Sequence, residues 1–154
     1  MPKTEVAYLI LSDVEIEERI NNHSLQITPF EPSCLNGAGY DLRLAEELTM
    51  EPHQHRLVAT LERVELGDNL VGTLHIRSSL ARWGIIASLA LVDPGFRGQL
   101  TILLYNVGSR KLELHWKERF IQIAIHQLST KTQRSYHGKY QDSQGIVDSR
   151  LTPP

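Results

Sequence analysis

The chain of 154 residues has a single cysteine, Cys34. One thiol cannot close an intramolecular disulfide or build a cysteine-rich zinc site, and such a composition suits a reducing cytoplasm. No apolar run approaches the roughly 20 residues of a membrane span, so no membrane partner is expected. The opening stretch MPKTEVAYLILSDVE holds only a short apolar segment and no cleavage-site pattern, which argues against a secretory signal. Charge of one sign is missing too. Sixteen Lys and Arg stand against eighteen Asp and Glu, a net charge of -2, so no global field draws nucleic acid. An anionic ligand must then be held by local arginines and backbone N–H groups. Repeats, linkers and low-complexity tracts are absent. The 41% hydrophobic and 22% charged residues fit one globular domain with one core, spanning 1–154.

The segment LILSDVEIEERINNHS reads as a short helix. Ser12 is the expected N-cap, and Glu15 three residues on completes a capping box. Leu11 and Ile16 stand at staple positions. Ile16 and Ile20 form a narrow apolar face, and Asn21, Asn22 and His23 end the helix. Beyond it the period shortens to two. SLQITPFEP is extended, CLNGAGYDLRL holds an Asn-Gly turn, and Tyr40, Leu42 and Leu44 alternate with Asp41 and Arg43. RLVATLERVEL, NLVGTLHI, GIIASLALV, GQLTILLYNV, KLELHW and RFIQIAIHQL are further strands, bounded by turn formers or charged pairs. So many short strands predict a closed or sandwich-like β domain over 1–130. The polar stretch 131–154, with Gly138 and Gly145, reads as a mobile tail.

Three motifs carry candidate chemistry. In RSSLAR, Arg77, Ser78, Ser79 and Arg82 follow a strand and can cradle phosphate, although spacing alone favours a helix N-cap with a surface arginine. In VDPGFRG, Asp93 ends an apolar run before a turn. It is either a general base or a turn residue, the latter being the commoner use. His53 and His55 share a face, but with no third ligand near in sequence they read as a solvated loop. His75, His115 and His126 sit singly in strands and read as structural. The strand from Gln99 to Asn106 contains no acid or base.

In their order, GAGYDLRL, IRSSLARWG, LVDPGFRGQLTILLYNVG, KERFIQIAI and GKYQDSQGIVDSRL resemble the motifs of the family uniting trimeric dUTPases and dCTP deaminases, on its deaminase-like branch. The resemblance spans nearly the whole chain. It implies an all-β fold, a distorted β-barrel of the β-clip type with one short N-terminal helix. It implies a homotrimer with interfacial sites, a mobile C-terminal lid over 131–154, and a deoxynucleoside triphosphate chelated to Mg²⁺, with no metal ligand from the protein itself. Arg77, Ser78, Ser79, Arg82 and Gln122 fall at phosphate-side positions. Asp93 matches the aspartate that orders water, and Phe96 the aromatic beneath the deoxyribose. Tyr136, Lys139 and Tyr140 match or neighbour tail residues that close over the triphosphate.

Two departures shape the functional expectation. The glutamate that shuttles protons in the deaminases is replaced by Leu103. The base-binding hairpin has no asparagine between Gly84 and Asp93, which leaves base reading to the main chain from Ala87 through Ser88 to Leu89. Ser143 also stands where relatives often have glutamine. The motifs then imply a dUTP diphosphatase, a dUTPase yielding dUMP and pyrophosphate with Asp93 as catalytic base. The alternatives are a dCTP deaminase, either producing dUTP or forming dUMP directly with a carboxylate from Glu62, Glu65 or Glu113, and a deoxynucleotide-binding regulator.

Overall fold

The computed structural model describes residues 9–152. The opening stretch through Tyr8 and the last two prolines lie outside the described residues. Helix α1 (Asp13–Asn21) begins as its sequence requires. Ser12 Oγ accepts from Glu15 N at 3.4 Å, and Glu15 Oε2 accepts from Ser12 N at 3.0 Å. Leu11 and Ile16 are both buried, so the helix is fastened by its first turn.

The strands are β1 (Leu9–Ile10), β2 (Leu25–Thr28), β3 (Leu35–Asn36), β4 (Gly39–Arg43), β5 (Leu48–Met50), β6 (His55–Leu66), β7 (Leu70–Ile76), β8 (Ile85–Ser88), β9 (Arg97–Asn106), β10 (Leu112–Leu114) and β11 (Arg119–Gln127). A six-residue helix, α2 (Ser78–Trp83), separates β7 from β8. The strands form three hydrogen-bonded sheets. One has the order β1-β11-β4-β3, with β7 also on β11; a second is β2-β6-β9-β8; the third pairs β10 with β5. They wrap one core that includes Tyr40, Leu42, Val64, Leu104, Phe120 and Ile123. None of the three sheets closes on itself among the described residues, so the expected barrel is an open wrap.

Strand β4 departs from its expected alternation, since all five of its residues are buried. Its polar side is covered because its charges are paired. Arg43 Nε meets Glu62 Oε1 at 2.6 Å, with the Glu62 side chain fully buried. Glu62 Oε2 also accepts from Arg43 N at 2.8 Å, and Arg43 Nη2 donates to Pro29 O at 3.2 Å. Burial pushes the Tyr40 hydroxyl far above its ordinary value, so it stays a neutral donor towards Glu62 Oε1. Glu62 lies in a bulge of β6, where pairing with β9 breaks between Ala59 and Arg63.

A carboxylate and a guanidinium held this deeply are costly to separate. Glu62→Ala should destabilise the fold by about 3–5 kcal/mol, the usual loss when one member of a buried pair is removed. Denaturant unfolding measures it; a loss under about 1 kcal/mol would show that the pair does not hold the two sheets together.

Candidate active site

The turn that carries Asp93 is fixed from both sides. Val92 and Gly72 exchange two backbone hydrogen bonds of 2.9 Å. Gly72 allows this approach, since a Cβ there would sit 2.8 Å from Ile123 Cδ1 and 3.1 Å from Val92 Cβ. Gly95, at φ 81°, then turns the chain, its N–H donating to Leu66 O at 3.0 Å, while Phe96 N donates to Asp93 O at 3.1 Å. The Asp93 side chain is left exposed, at a cavity of about 410 Å³.

Leu57, Leu103 and Ser88 stand in cross-strand register on β6, β9 and β8, and all three line this cavity. Phe96 lines it too, and Tyr136 packs edge-on to that ring at 5.4 Å. Among the described residues Asp93 is the only carboxylate in the lining. The other candidates lie elsewhere. Glu62 is committed to Arg43, Glu65 pairs with Arg63, and Glu113 pairs with Lys111.

The polar stretch after β11 lies along this cavity. Strand β8 covers β9 only at Leu103–Asn106, and the tail takes the free edge that remains. Asp142 N donates to Arg97 O and Gln99 N to Ser143 O, both at 2.9 Å, which sets Ser143 parallel to Gly98. Gly145 N donates to Gln99 Oε1 at 2.6 Å and Val147 N to Thr101 Oγ1 at 3.0 Å. Asp142 takes two bonds from Arg97, at 2.7 and 3.0 Å. The hydrogen bond and charge of Arg97 hold its carboxyl below the ordinary value. Tyr136 and Tyr140 reach the cavity, whereas Lys139 turns to Arg150 O at 3.2 Å.

The remaining motif residues gather elsewhere. Arg77 is the N-cap of α2, where Ser78, Ser79 and Arg82 are exposed. Gln122 sits between Asp41 of β4 and His75 of β7. Ala87 and Leu89 flank Ser88 without lining the cavity. His53 and His55 are exposed, and no group of three metal-ligating side chains occurs among the described residues. His75 and His126 are linked through Thr73 Oγ1, at 3.1 and 2.8 Å.

A family model described as dCTP deaminase-like matches residues 45–128. The chain belongs to that family. It is 41% identical to the dCTP deaminase of Thermococcus gammatolerans, with 92% of this chain and 97% of the relative covered. It is 31% identical to a dUMP-forming dCTP deaminase of Aquifex aeolicus over 93% and 95% of the two chains. The solved 2'-deoxycytidine 5'-triphosphate deaminase of Agrobacterium tumefaciens shares the fold at TM-score 0.69 and 15% identity. The match covers 78% of this chain and about half (48%) of that one.

These relatives overturn the dUTPase expectation. It rested on one substitution, Leu103, while likeness to proteins named dCTP deaminase runs through nearly the whole chain. Sequence reasoning also passed over Gln99 and Thr101, which line the cavity and hold the tail. Their one signal was polarity within an otherwise apolar strand.

The Asp142 clamp is open to titration. Its folded-state pKa is depressed, so its contribution is present above the ordinary carboxyl value of 3.8 and is lost as pH falls through the lower folded value. Asp142→Asn should remove the clamp at every pH. Trypsin at neutral pH should then cut faster at Arg134, Lys139 and Arg150. Cleavage at the wild-type rate would show that the ion pair does not hold the tail.

Proposed function

We propose that the chain deaminates dCTP, with the Asp93 carboxylate moving the protons. The supporting observation is this lone carboxylate on a cavity also lined by Phe96, in a chain so similar to proteins named dCTP deaminase. The Leu103 side chain transfers no proton, which leaves Asp93 to act as both acceptor and donor. Water adds to C4 of cytosine, forming the C4–O bond, and Asp93 carries its proton to N3. The hydroxyl proton then passes through Asp93 to the amino group. The C4–N bond breaks as the C4 carbonyl forms, so dCTP and water give dUTP and ammonia.

The other residues bind and orient in this reading. Main-chain groups from Ala87 to Leu89 read the base, and Phe96 packs against the sugar. Arg77, Ser78, Ser79, Arg82 and Gln122 hold phosphate. Tyr136, Lys139 and Tyr140 close the tail over the nucleotide and exclude water. Ser79 of α2 and Asp93 line different hollows within one subunit. A homotrimer that joins the two between copies accounts for this. Mg²⁺ would be delivered on the triphosphate and held by its phosphates, beside Arg77, Ser79 and Arg82, where it would neutralise phosphate charge.

Incubation with dCTP and Mg²⁺, with ammonia and pyrophosphate both measured, tests this reading. Ammonia should appear mole for mole with a uracil nucleotide; pyrophosphate alongside it would mark direct formation of dUMP. Asp93→Asn should keep dCTP binding and lose about 10² to 10⁴-fold in kcat. No ammonia from dCTP, or a variant within about threefold of wild type, would overturn the reading. Truncation after Thr132 should leave a folded protein whose kcat/KM falls by at least about tenfold, roughly 1.4 kcal/mol of transition-state stabilisation.

A further inference from the structure

The start of the tail is fastened to a residue outside both hollows. Asp68 stands in the turn between β6 and β7. Its carboxylate accepts from Ser135 Oγ, and Lys131 Nζ lies 3.2 Å from Asp68 Oδ2. Thr132 N donates to Asp68 O at 2.9 Å, so side chain and backbone both grip the segment. The Ser135 hydrogen bond, with Lys131 beside it, holds the Asp68 carboxyl below its ordinary value. Lys131 is 72% exposed, and an ion pair so open to water adds little. The bond to Ser135 is therefore the one that fixes position.

Ser135 also lies against the turn that carries Asp93. A Cβ on Gly95 would fall 2.9 Å from Ser135 Cβ and 3.4 Å from Asp68 Oδ1, so the three meet closely. The next residue, Tyr136, donates its N–H to Pro94 O at 2.8 Å. Its ring then meets Phe96 edge-on, and its hydroxyl accepts from Tyr140 N at 3.2 Å. Tyr136 and Phe96 line the cavity, whereas Asp68 and Ser135 do not.

We propose that Asp68 is a positioning residue for the substrate. Through Ser135 it fixes Tyr136, and through Tyr136 the Phe96 ring, so this wall of the cavity is set before a nucleotide arrives. The inference goes beyond the dCTP reading and rests on it for the nucleotide and for the role of Phe96. The Asp93 turn keeps its own bonds, from Val92 to Gly72 and from Gly95 N to Leu66 O. Loss of the Asp68 contact thus loosens the aromatic pair and leaves Asp93 in place. Its effect falls on nucleotide affinity rather than on the chemical step.

Calorimetric titration of the full chain with dCTP and Mg²⁺ tests the proposal, in the Asp93→Asn background so that the nucleotide is not consumed. Asp68→Ala and Ser135→Ala should each weaken binding by about fivefold, the size of one aromatic contact, at unchanged stoichiometry. A merely structural role would instead lower the stoichiometry and leave the affinity of the competent fraction unchanged. Asp68→Asn keeps an oxygen for the Ser135 hydroxyl and should bind within about twofold of its parent. The two alanine substitutions together should cost no more than either alone, because they remove one bond. With Asp93 intact, Asp68→Ala should release ammonia at saturating dCTP within about twofold of the wild-type kcat. Parental affinity in both alanine variants, a loss that Asp68→Asn does not recover, or dCTP that fails to bind the parent overturns the proposal. The expected loss of affinity in a chain that releases no ammonia from dCTP would uphold the positioning role while the deaminase reading falls.

Discussion

The Glu62 carboxylate, fully buried in the β6 bulge, is the contact on which the rest of the structure leans. It binds Arg43 of β4 through side chain and backbone, tying the sheet of β11 to that of β9. The bulge frees backbone groups that need partners in the interior, and each has a specific one. Thr60 Oγ1 donates to Glu62 O and accepts from Leu100 N. Gln99 Nε2 donates to the carbonyls of Thr60 and Leu61 at 2.9 and 3.2 Å. That leaves Gln99 Oε1 aimed outward, where it receives Gly145 N of the tail. A buried charge, a strand irregularity and the placement of the tail therefore form one connected arrangement.

Much of this was legible in the sequence where the signal is local. Ser12 and Glu15 announce a helix start by their spacing alone, and Asn36-Gly37 announces the β3–β4 turn. The order of the later strands follows from alternating runs and their breakers. The burial of Asp41 and Arg43 was not legible. Arg43 finds its partner nineteen positions away in a bulge, and Asp41 is covered by arginines from β11 and from the cap of α2. The three-residue strand β5 was missed because it carries no period of its own and exists only through pairing with β10. For the site, the turn at Asp93 and the RSSLAR helix could be read from type and spacing. The convergence of Arg77, Lys117 and Arg119 could not, because it depends on the pairing of β11 with β4. The functional expectation failed for a different reason: one apolar residue in a strand outweighed a likeness spread along the chain.

The two hollows differ in character. The one at Asp93 is walled by Leu57, Leu103 and Phe96, a surface suited to flat, weakly solvated rings. The one at Arg77 is lined by Arg77, Lys117 and Arg119 beside Glu118, and both guanidiniums are held by carbonyls and by Asp41. A ligand with an aromatic end and an anionic end needs both kinds of surface. The chain builds them on separate elements, each braced by its own backbone contacts.

The strand edge that the tail covers carries a consequence for association. Between Arg97 and Thr101, β9 has β6 on one side and only the tail on the other. Without the tail, Arg97 O and Gln99 N would have no partners and would form a short open edge able to template an intruding strand. The exposed Arg97 side chain and the backbone of Gly98, at φ 148°, interrupt that edge and make it a poor match for a flat partner. The stretch of β9 that depends on the tail for its partners thus carries features that discourage edge-to-edge aggregation.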